Sequence, residues 1–350
     1  MVPLLRRIAP ALLLVVLAPV IAEFLLGDFS VRSLPLVLVF LPQYGCGALL
    51  VREVTRRTGR GWPSIVLLAL AYALIEEGFT TQSLFNPNYV GQRLLDYGYI
   101  PALGTSLNWT LFVLSIHVVW SIGTPILIAE GVAAERRTTP WLGRIGLAVA
   151  AVLFVLGCLF TTFISLRASR FVASPGQFLA VALLVVVAVA AAFLLFKPGA
   201  RRETGSITGP PPAPWVVGLF VLGLAFAFEL VEHSLRGPGI PPVLAVLGML
   251  ACEVVAVVLI AGWSRRPGWE ADHYLAIATG TVLTYSWVGL RAFLSGRTNI
   301  GGRVELVDVV GQVVEIAAVL ALVGWALLRN RRAAGSSAGS SATGPRVPVA

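Results

Sequence analysis

Two adjacent carboxylates, Glu76 and Glu77, stand near the far end of the apolar run Ile65 to Phe79. An acid in hydrocarbon must be protonated, paired or wetted, so intramembrane acids mark sites of function more often than packing. His117 is the next candidate, deep between Leu114 and Trp120. A carboxylate and an imidazole together suit proton transfer to or from a reacting group. The same atom types also ligate metals, but the chain has no HExxH motif and no second histidine at helical spacing from His117, so a metal is left unassigned. Further acids join the set. Glu229 and His233 lie four apart, on one helical face, and Glu253 and Glu315 fall within apolar runs. Gln82 and Asn86 belong to a polar stretch just after the glutamates.

These residues are positioned by membrane helices. The chain has 350 residues, 57% hydrophobic and only 12% charged, with mean hydropathy +0.86. Too little charge is present to cover a soluble protein of this length. The apolar runs are continuous, as in Leu12 to Leu17 and Val181 to Phe196, which excludes the alternation of a membrane barrel. The class is all-α, a polytopic membrane helix bundle. Ten spans are expected, at roughly 8–26, 34–51, 63–80, 108–130, 143–164, 177–196, 214–232, 241–262, 272–293 and 307–328.

Arginine and lysine orient them. One set of alternate ends carries 17 positive residues, among them Arg6, Arg7, Arg52, Arg56, Arg57, Arg60, Arg136, Arg137, Arg201 and Arg202; the other carries eight, including Arg32, Arg93 and Arg236. The bias places both termini inside a cell membrane, the inner or plasma membrane. It also accounts for the net charge of +9 without a nucleic-acid partner. The partners expected are the lipid bilayer and an unidentified membrane-embedded or exterior substrate. Arg6, Arg7 and Val20-Ile21-Ala22 have signal-peptide character, and the first span is read as an uncut anchor. Residues 1–332 form one helical domain, and 333–350, rich in Gly, Ser and Ala, are expected to be a disordered cytoplasmic tail. Segments 34–168 and 177–293 share a weak internal likeness, consistent with a parallel repeat of two four-helix units.

Helix rise converts position into depth. Glu76 lies about 20 Å from the inner surface of a ~30 Å core, and His117 about 14 Å from the outer one. Glu23, Glu229 and Glu315 fall in the same outer half, with Glu253 near the middle. Glu23 is expected to snorkel to the outer interface, and His273 to sit at the inner one. The loop after the glutamates, including Phe85-Asn86-Pro87-Asn88-Tyr89, reads as a lid or as a connector with an aromatic belt.

With Glu76-Glu77 on one membrane helix and His117 on the next, the chain resembles the CPBP family, the CAAX prenyl protease 2-like and bacteriocin-processing intramembrane proteases. That family carries EExxxR, then FxxxH, then a third helix bearing His or Asn. The resemblance covers Ala69 to about Pro125. It implies that Glu76 or Glu77 activates a water and that His117 helps stabilise the oxyanion. Thr81 stands where the motif has arginine, Val113 where it has phenylalanine, and His233 is the nearest third-motif residue. Two other readings fit the same residues: a proton- or cation-coupled transporter, and a non-catalytic membrane subunit.

Overall fold

The computed structural model describes residues 2–198, 208–234 and 239–341. Arg201, Arg202, Arg236 and 342–350, all used in the topology above, lie outside the described residues.

Among the described residues, nine helices are long and apolar enough to cross a membrane: α1 (Arg7–Leu25), α2 (Val31–Arg57), α3 (Trp62–Thr80), α4 (Leu107–Val132), α5 (Arg144–Ser169), α6 (Pro175–Leu194), α7 (Pro214–Ser234), α8 (Pro242–Trp263) and, last of them, α10 (Leu306–Ala333). The tenth expected span is α9 (Ala271–Leu294), a 24-residue helix with a more polar composition. It tolerates that composition because protein surrounds it: Thr281, Thr284, Tyr285 and Ser286 are all buried, and the threonine and serine hydroxyls bond carbonyls of their own helix. The last helix is continuous to Ser341, so the segment expected to be unstructured from 333 begins as an extension of α10.

Contacts between connecting segments fix the two ends of the bundle. At the basic end Arg136 bonds the carbonyl of Arg7, Arg60 that of Phe193, Arg266 that of Pro210, and Arg331 reaches Asp272. At the other end Arg32 pairs with Asp308, Gln92 bonds Asn299, Tyr97 bonds Ile240 and Ala173 bonds Gln82. Helix α9 starts at the first end, where His273 bonds the Pro212 carbonyl, and finishes beside Asn299 at the second, so it crosses like its neighbours. His273 is buried there, stacked on Trp269.

The spans divide into a centre and a periphery. About two thirds of α3 is buried, against 11% of α5. The exposed faces of α5, α6 and α8 are leucine, valine and phenylalanine, the composition a hydrocarbon solvent requires. Helix α2 packs on α5, whereas α6 packs on α3 and α7 on α9.

A charge cluster closes the basic end. Arg56 grips both oxygens of Glu130 at 2.8 and 2.6 Å, and Arg52 adds a third bond at 3.0 Å. Glu53 accepts from Arg52 at 2.5 Å and from the backbone of Trp141 and Leu142. The Arg52 guanidinium also lies 3.4 Å over the Trp141 ring. All four charged residues are buried. Two cations face two anions, and both carboxylates are fully engaged. Such balance lets charge sit inside a protein.

Candidate functional site

At the opposite end, four spans lose α-helical register where they approach one another. Wide π-type turns occur at Val20–Leu25, Leu41–Gly45, Glu76–Thr80 and His117–Gly123. These turns carry Glu23, Tyr44, the Glu76-Glu77 pair and His117 respectively. Such bulges are rare and concentrate at functional sites. Proline explains three of them: Pro19, Pro42 and Pro125 each lack the N–H that would bond the carbonyl four residues back. Pro19 thereby frees the Val15 carbonyl. Gly45 packs on that oxygen so closely that a Cβ would stand 2.3 Å from it.

The four turns converge. His117 Nε2–H donates to Glu77 Oε1 at 2.6 Å, and Nδ1 lies 2.9 Å from Ser121 Oγ. Glu76 Oε2 is 3.5 Å from the same Nδ1. The second Glu77 oxygen accepts from Thr81 at 3.0 Å and from Ser83, whose hydroxyl takes a bond from the Trp109 indole. Tyr44 and Tyr72 flank the imidazole, with ring centroids 6.1 and 6.3 Å away. Glu76, Glu77 and His117 are buried. Glu76 Oε2 and the Tyr72 hydroxyl have no hydrogen-bond partner.

Two further acids face this core. Glu23 and Asp28 are half-buried, and the charged groups acting on Glu23 are Asp28, Glu76 and His117. Glu23 thus turns inward to the site instead of snorkelling to the interface. Burial is the main cause that lifts the Asp28 carboxyl to about 7, opposed by a bond from Asn299 and by His117. The loop after α3 lies over the group. Burial, and then the charges of Glu77, Glu23, Glu76 and Asp28, push the Tyr89 phenol well above its ordinary value. Tyr89 therefore lies within electrostatic reach of all four acids. The backbone here is strained: Gln82 and Val90 have φ of 56° and 47°, unusual for any non-glycine residue and more so for a β-branched one.

The remaining sequence candidates are distributed elsewhere. Glu229 is fully buried with neither oxygen hydrogen-bonded, 3.6 Å from His233 Nδ1. Asn108 joins that second group through Glu232 at 2.6 Å. Glu253 is half-buried and accepts from Ser115 on α4. Glu315 is half-buried with Oε1 unbonded. Gln82 pins the start of α6 through Ala173, and Asn86 folds its own loop by accepting from the Asn88 backbone.

Residues 12–330 match the model of an "uncharacterized membrane protein family". The chain belongs to that family. No curated protein and no solved structure matches it. The family match is not to the CPBP proteases, so the likeness at Glu76-Glu77 and His117 is confined to those motifs. Thr81, which departs from the CPBP pattern, binds Glu77 directly.

Proposed function

We propose that this membrane protein is an intramembrane hydrolase, acting on an amide or ester bond of a membrane-embedded substrate. The observation that carries the reading is the Glu77–His117 contact of 2.6 Å, buried beside Glu76 and formed between two bulged helices. A buried carboxylate–imidazole pair of this kind, in a low-dielectric site, is suited to general acid–base work. Glu77 takes a proton from water as the oxygen attacks the scissile carbonyl; that proton crosses the 2.6 Å contact to His117, which passes one on to the leaving group as the carbonyl–leaving-group bond breaks. Tyr44 and Tyr72, which flank the imidazole, supply phenolic donors to the developing oxyanion. The pairing is also the one the CPBP resemblance implies, although Tyr residues replace the third histidine-bearing helix beside His117.

The test compares peptides and lipid products in membranes containing the wild-type chain, Glu77→Gln or His117→Asn at matched abundance. The reading expects fragments present with the wild type and absent with both variants. Identical product sets in all three would overturn it. Proton movement with solute in vesicles, lost in the same variants, would favour transport instead.

A further inference from the structure

We propose that Glu76, Glu77 and His117 form a binding site for a divalent transition-metal ion of the zinc class. One ligand atom from each lies within 4.8 Å of the others, and all three residues are buried. The set is two carboxylates and an imidazole, compatible with Zn²⁺ or Co²⁺ in a site that keeps one position open.

Three observations point to an ion. First, charge at this end of the bundle is unbalanced. The groups acting on Glu76 and Glu23 are other acids, His117 and the Tyr44 and Tyr72 phenols, with no arginine among them. The Arg52–Glu130 cluster shows how the same chain neutralises buried acids where no ligand is required. Second, Glu76 Oε2, 3.5 Å from His117 Nδ1, and the Tyr72 hydroxyl are buried beside the cluster without a well-formed hydrogen bond. Third, the outer atoms of the ligands are already held. Ser121 fixes His117 Nδ1, leaving Nε2 to face inward, and Thr81 and Ser83 hold one Glu77 oxygen, leaving the other. Partners of this kind orient metal ligands and set the imidazole tautomer.

The 2.6 Å between Glu77 Oε1 and His117 Nε2 is filled by a proton. Ligands about 2.0 Å from a tetrahedral ion stand roughly 3.3 Å apart. Loading therefore exchanges that proton for the ion and opens the pair by less than about 1 Å.

This inference rests on the same residues as the hydrolase reading but does not require hydrolysis; with an ion bound, Glu77 and His117 are its ligands and no longer the base and acid. The experiment is equilibrium binding of Zn²⁺ to the chelator-treated full chain in lipid nanodiscs, by calorimetry and elemental analysis. Co²⁺ absorption reports the ligand field. One ion per chain is expected, weakened at least 100-fold by Glu77→Gln or His117→Asn and unchanged by Glu229→Gln. Ser121→Ala, which leaves all three ligands in place, is expected to weaken binding 10- to 100-fold with an unchanged melting temperature. Absence of stoichiometric Zn²⁺ or Co²⁺ in the folded wild type would overturn the proposal. So would an ion retained by both ligand variants. Binding without any product difference between wild type and Glu77→Gln would leave the ion standing and sink hydrolysis alone.

Discussion

Glu130→Ala tests whether the charge cluster at the basic end is scaffold. The substitution removes three bonds at once, 2.6, 2.8 and 3.0 Å, and leaves Arg52 and Arg56 facing an apolar gap. Arg52 keeps Glu53 and three carbonyl acceptors, whereas Arg56 keeps only the carbonyl of Arg60. Arg56 is 8% exposed, so water does not replace the lost partner. Truncating one member of a buried pair costs roughly 3–5 kcal/mol, most of it from the charge left behind. That corresponds to about a hundredfold to a few thousandfold in the unfolding equilibrium. Chemical denaturation of the detergent-solubilised chain, followed by tryptophan fluorescence, measures it. The double variant Glu130→Leu with Arg56→Leu is expected to recover much of the loss, because the orphaned guanidinium is gone. A Glu130→Ala protein within about 1 kcal/mol of wild type would refute the assignment of this cluster as a stabilising lock.

Other outcomes follow from the same contacts. Glu77→Gln keeps the shape of the site and removes a buried charge, so it is expected to raise or leave unchanged the melting temperature while abolishing product formation; a large destabilisation would make the residue structural. Gly45→Ala drives a methyl into the Val15 carbonyl at 2.3 Å and is expected to cost about 1–3 kcal/mol in the same denaturation assay. Asp28 has its carboxyl raised to about 7 in the folded chain, so the unfolded chain ionises first as pH rises. Its contribution is therefore complete below about pH 4 and lost by the time pH passes about 7. Melting temperatures of the wild type relative to Asp28→Asn are expected to fall over that interval and to be flat above it; a constant difference would contradict the shift.

The ten spans were legible because hydrocarbon imposes a length and a composition that survive any packing arrangement. Helix α9 was legible as well, although its threonines and serines dilute the apolar signal, since arginine placement required a crossing there. Glu76, Glu77 and His117 stood out by the cost of burying them. Tyr44 and Tyr72 did not, because a tyrosine in a membrane helix is ordinary until its neighbours are known. The π-type turns were also hidden, yet Pro19, Pro42 and Pro125 had marked three of them. Glu23 was misplaced for a geometric reason: depth along a helix says nothing about azimuth, and the wide turn after Pro19 swings it inward. Arg52 and Arg56 were counted only as charges at the ends of spans, whereas they fall inside α2 and meet Glu130 from α4. A charge that pairs across 78 residues leaves no mark in a local window.

Proximity of α3 and α4 through Glu77 and His117 is the point on which the site stands. A chain with Cys46, Cys158 and Cys252 replaced by serine, carrying Glu77→Cys and His117→Cys, can be treated in native membranes with a short bifunctional thiol reagent. The account predicts one dominant intramolecular link joining the two peptides by mass spectrometry, and none when Val66→Cys, on the exposed face of α3, replaces Glu77→Cys. Efficient linking from position 66 and none from position 77 would contradict it.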